Sequence, residues 1–108
     1  MFKCSQCMYV HWLEEVPEIC PKCMATGTFA SVIGKDKDLI EKSLYGNELL
    51  IEMADTLNKV IDIANDGIKE HADEACADMY SRIYKSSIEM VQMIKAELEM
   101  HIKNGRWG

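Results

Sequence analysis

The chain has 108 residues and a formal net charge of −6, and its hydrophobic share of 48% is that of an ordinary globular domain rather than a disordered chain. So short a chain makes one domain, or one small module joined to another, with little room for a large core. The acidic balance argues against a nucleic-acid partner, whose affinity rests on clustered Lys and Arg. No apolar run approaches the ~18 residues of a membrane span, and "MFKCSQC" lacks a signal-peptide core; the expectation is a cytoplasmic protein with no membrane partner.

The composition changes near residue 35, and "IGKDKD" marks a boundary between residues 1–34 and 35–108. Before it, "MFKC", "MYVHW" and "FASVI" are short β-prone runs punctuated by Pro17, Pro21 and Gly27, the rhythm of a small β ribbon. Two C-x-x-C pairs, Cys4 with Cys7 and Cys20 with Cys23, read as one metal site in a reducing compartment better than as disulfides. Four thiolates suit a tetrahedral, borderline-soft ion, either Zn²⁺ or a single iron. Each C-x-x-C grips from one tight turn, where backbone N–H groups can face the sulfurs.

The stretch "KCSQCMYVHWLEEVPEICPKCMATGTF", from Lys3 to Phe29 and about a quarter of the chain, resembles the rubredoxin-like domain of rubrerythrins. The shared features are C-x-x-C, Tyr-Val-His, Pro-Glu-x-Cys-Pro-x-Cys and a closing Phe. The resemblance implies one iron held by Cys4, Cys7, Cys20 and Cys23, cycling between the ferrous and ferric states, with Tyr9 and Phe29 packed beside it and His11 outside the ligand set. Met8 stands where that family has Gly, a position at which positive φ relieves the turn, and Met24 where it has Gly or Ala. The family also commonly carries this module after its helical bundle, not before it.

A helix is expected over about 36–65, capped by Asp36 or Asp38, the latter with Glu41 three residues on as in a capping box. Its apolar steps include Leu39, Leu50, Met53, Leu57, Val60, Ile61 and Ala64; interior Gly46 weakens it, and "NDG" at 65–67 is a turn signal. A second helix is expected over about 69–103, with Ala72, Cys76, Met79, Ile83, Met90, Ile94 and Leu98 on its apolar face and Asn104-Gly105 as a left-handed cap. Cys76 reads as a small buried hydrophobe.

Helices of roughly 45 and 50 Å exceed what a lone hairpin can cover. Leu49, Ile51, Ile63, Tyr80, Tyr84, Ile88, Met93 and Met100 widen the apolar stripe, so two antiparallel hairpins are expected to pair as a homodimeric four-helix bundle. Folding about Gly67 would set Glu52 opposite Arg82, Glu48 opposite Ser86 and Glu89 opposite Tyr45, pairings that make no carboxylate cage. The Glu-x-x-His of di-iron bundles does not occur; His71 with Glu74 and Glu97 with His101 have ligand spacing but read as solvated helix faces.

The first functional reading is therefore an electron-transfer protein with an Fe(Cys)4 site, a helical dimerisation module and a redox protein as partner. The second is a structural Zn(Cys)4 ribbon on a helical interaction or scaffold module. A rubrerythrin-like oxidoreductase is a third reading, short of its ligand motif.

Overall fold

A computed structural model describes residues 1–70 and 73–108. Three short strands, β1 (Phe2–Cys4), β2 (Val10–His11) and β3 (Phe29–Ser31), are followed by helices α1 (Gly34–Glu70) and α2 (Glu74–Lys103). The chain divides into two compact units, one comprising Met1–Leu44 with Asn104–Gly108 and the other Tyr45–Lys103.

In the first unit the sheet order is β2-β1-β3, all antiparallel. Phe2 lies opposite His11 on one side and Ser31 on the other, and Cys4 is opposite Phe29, so the central strand delivers its cysteine between two aromatic-bearing neighbours. Ile40, in the first turns of α1, is this unit's largest fully buried side chain. Gly108 lies against Ile40 and Val10 so closely that a Cβ there would collide with Ile40, and Arg106 Nε donates to the Ser43 hydroxyl at 3.2 Å. Gly34 has φ +59° and turns the chain from β3 into α1. The helix consequently starts before both expected caps: Asp36 and Asp38 are inside it, with Asp36 in the first turn, where an acidic side chain complements the helix dipole.

In the second unit the two helices pack through seams of heptad rhythm. Buried or half-buried residues on α1 recur at alternating steps of three and four, from Asn47 through Leu50, Ala54, Leu57 and Ile61 to Ala64; α2 does the same through Tyr80, Tyr84, Ser87, Val91, Ile94 and Leu98. This is the heptad rhythm of two antiparallel helices packed against each other. Tyr80 and Tyr84, expected as widening positions, lie on the seam, whereas Met53, Met79, Ile83 and Met90, expected on the principal stripe, are exposed.

The turn expected at Asn65–Gly67 is not made there: α1 runs on to Glu70. Ile61, Ala64 and Ile68 continue the seam, and the Tyr80 ring lies against Gly67 where a Cβ would stand, so packing outweighs the local turn preference. α2 starts at Glu74 rather than 69, capped by Asp73, whose carboxylate accepts the Cys76 N–H at 2.7 Å and whose carbonyl accepts the Ala77 N–H at 3.0 Å. Cross-helix contacts pair Gly67 with Tyr80 and Asn47 with His101, so the fold is centred on Asp73 and Glu74. The register reckoned about Gly67, including the Glu52–Arg82, Glu48–Ser86 and Glu89–Tyr45 pairings, is corrected accordingly. The cap at the far end matches expectation, with Gly105 at φ +72° just past the last helical residue.

Candidate metal centre

The two C-x-x-C segments adopt the same backbone form. In the first, the Cys4 N–H donates to the Tyr9 carbonyl at 2.9 Å and the Met8 N–H to the Cys4 carbonyl at 3.0 Å; in the second, the Cys20 N–H donates to Ala25 and the Met24 N–H to Cys20, both at 2.9 Å. Both turns need a residue in the left-handed region, and methionine occupies each, Met8 at φ 66° and Met24 at φ 63°. For an L-residue with a Cβ this conformation costs about 1–2 kcal/mol, a cost the rest of the ribbon offsets.

These turns bring Cys4, Cys7, Cys20 and Cys23 together, with all four sulfurs within 4.8 Å of one another. The Cys4–Cys23 and Cys7–Cys20 sulfur separations are 3.8 and 3.6 Å. A metal–sulfur bond of about 2.3 Å in a tetrahedron requires sulfur–sulfur edges of about 3.8 Å, so these two edges match a single ion and the remaining ones, all within 4.8 Å, lie close to it. Cys4 and Cys20 are fully buried, Cys7 is half-buried and Cys23 is exposed.

Hydrogen bonds prepare the sulfurs for negative charge. The Thr28 hydroxyl lies 3.0 Å from the Cys4 sulfur and is the main reason that thiol is held at about 6 rather than 9.0; burial pulls the other way, and the backbone N–H groups of Gln6 and Cys7 add to the lowering. Burial also opposes ionisation of Cys20, yet the N–H groups of Cys23 and Lys22 outweigh it and its pKa is lowered. Burial pushes Cys7 up to about 12, against the Tyr9 N–H. The surroundings thus favour the ionised form at Cys4 and Cys20 and oppose it at Cys7.

Around the sulfurs, Tyr9, His11 and Phe29 form an aromatic wall, with Tyr9 and Phe29 edge-on at 6.2 Å. His11 is buried and donates from Nε2 to the Glu15 carbonyl at 2.9 Å, leaving Nδ1 to accept from the Tyr9 hydroxyl at 3.3 Å. It thereby pins the loop between the knuckles and is not among the ligands. Thr28 and Lys22, whose ammonium donates to the Cys7 carbonyl at 3.1 Å, were not legible from spacing. Thr28 reaches the site because Gly27, at φ 67°, and the Ser5 N–H to Thr28 carbonyl bond return the chain beside Cys4.

Among the described residues the four cysteines are the one group of metal-capable side chains in mutual reach. His71, of the His71–Glu74 pair, lies outside the described residues, as does Ala72. His101 is buried, bridging Asn47 Oδ1 and Glu97 Oε1, which corrects its reading as a solvated residue. Cys76 is half-buried. No helix among the described residues is long and apolar enough to cross a membrane.

Two such knuckles closing on a tetrahedron of thiols, with a three-stranded antiparallel sheet behind them, define a rubredoxin-like metal ribbon. Residues 2–29 match the family model for the rubrerythrin, rubredoxin-like domain. No curated protein and no solved structure matches the chain.

Proposed function

We propose that Cys4, Cys7, Cys20 and Cys23 hold a single iron and that the ribbon transfers single electrons to or from a redox protein in the cytoplasm. The observation that carries this reading is the tetrahedral set of thiols, supplied with N–H and hydroxyl donors, inside a segment that matches the rubrerythrin-type domain. Iron bound there supplies a one-electron ferrous/ferric couple. The protein's part is electrostatic: the N–H groups of Gln6, Cys7, Lys22 and Cys23 and the Thr28 hydroxyl offset the negative charge that four sulfurs concentrate, and such donors favour the reduced, more negative state. Four sulfur ligands leave no position for a substrate, so the site suits electron passage rather than hydrolysis.

The deciding experiment is metal content per chain on protein from its native host, with visible absorption before and after dithionite. One iron per chain and a red colour that bleaches is the expected result; one colourless zinc refutes the electron-transfer reading. That outcome would favour the second reading, a structural Zn(Cys)4 ribbon on a helical interaction module. Its support is that the described residues contain no second cluster of ligands to receive an electron within the chain.

A further inference from the structure

Beside the seam, each helix carries a second stripe with the same rhythm, and this one is exposed at every position but the half-buried Val60. On α1 it runs Leu49, Met53, Thr56, Val60 and Ile63, at steps of four, three, four and three; on α2 it runs Met79, Ile83, Ser86, Met90 and Met93, at the same steps. None of these ten positions carries a charge. Val60, Ile63 and Ala64 share one apolar groove of about 220 Å³ with Tyr80 and Ile83, which places both stripes on the same flank of the hairpin. The ion pairs Lys59–Asp55 and Arg82–Asp78 are formed by highly exposed side chains at other helical positions.

From this arrangement we infer that the flank is the interface with a second copy of the chain, joined hairpin to hairpin as a four-helix bundle. Each stripe spans 15 residues of helix, roughly 22 Å, and two helices side by side are about 20 Å wide. Their footprint of roughly 450 Å² lies in the upper half of the ~300–600 Å² range of a monomer's largest apolar patch, a size that is often functional, and is a little over half of the ~800 Å² each partner gives to a standard interface. The occupant has to be uncharged over the same length and repeat in steps of three and four to interdigitate with both stripes at once. A second hairpin meets both conditions, because a two-fold axis sets the same patch against itself. With no Asp or Glu in either stripe, the bundle joins two chains without building a carboxylate metal cage. The inference does not depend on which metal the ribbon holds.

The test is the mass of the metal-loaded full chain at micromolar concentration by light scattering, with metal content read on the same sample. The expected mass is twice 12.3 kDa; a native chain at 12.3 kDa overturns the inference. Ile63 and Met93, 66% and 69% exposed, tolerate charge in an isolated hairpin, so Ile63→Glu with Met93→Glu should halve the mass while leaving far-UV circular dichroism unchanged. The milder Met93→Gln should raise the dimer dissociation constant at least tenfold. Ile51→Glu, outside the stripes, should stay dimeric. A double variant that remains dimeric, or an Ile51→Glu variant that alone becomes monomeric, assigns the interface to another surface and overturns the proposal.

Discussion

The ribbon and the hairpin hold their shapes by opposite means. In the ribbon, strands of two or three residues bury little, and four sulfurs gathered by two matching turns define the interior. The hairpin has no such focus; its form comes from a seam repeated over many turns, in which each residue contributes modestly. A point structure fails all at once when one point is removed, whereas a periodic one loses a fraction. The ribbon can therefore tolerate two methionines in left-handed turns, because ligation sets its geometry more strongly than local backbone preference does.

The largest expected effect is on the ribbon. Cys20→Ser should abolish stoichiometric metal binding and forfeit a folding contribution on the order of 10 kcal/mol, seen as zero metal in the purified protein and rapid proteolysis between the knuckles. Most of the helical circular dichroism should persist; its complete loss would show that the hairpin depends on the same focus. Next comes Gly67→Ala, which drives a methyl group into the Tyr80 ring and should lower the hairpin's unfolding free energy by about 1–3 kcal/mol in urea titrations. A neutral result would mean that the seam slides to make room.

Met8→Gly removes the cost of a side chain at φ 66° and should stabilise the ribbon by about 1 kcal/mol, measured as slower metal loss to a chelator in denaturant. The smallest effect concerns protons. With Cys4 held at about 6 by Thr28, this cysteine is already a thiolate above that pH and adds nothing to competition between protons and metal. Below it, the thiol must release a proton before binding, so log apparent affinity should fall more steeply by about one unit per pH unit. Thr28→Val should raise the Cys4 pKa and move that break upward in a chelator titration against pH.

The ribbon was legible because its chemistry is written at fixed spacings: C-x-x-C twice, and a turn position whose left-handed backbone Met8 and Met24 adopt despite their side chains. The helices were legible in kind and in their last cap, Gly105, but not in their junction. "NDG" is a strong local turn signal, yet Gly67 serves as a recess for Tyr80, a partner thirteen positions away that no local rule sees. Asp73 was hidden as a cap because Cys76, not Glu or Gln, stands three residues on. The misplaced junction then carried every cross-helix pairing with it, and the stripe taken for the seam on α2 mixed two faces: Met79, Ile83 and Met90 are exposed, whereas Ile94 and Leu98 lie on the seam.

Each knuckle contributes one sulfur to the interior and one toward solvent: Cys4 and Cys20 are sealed, Cys7 and Cys23 are not. The tetrahedron therefore has a dry edge and a wet edge, and traffic with the outside is one-sided. An incoming chelator or an alkylating reagent meets Cys23 and Cys7 first, so the ribbon presents its sulfurs to the outside through a single window.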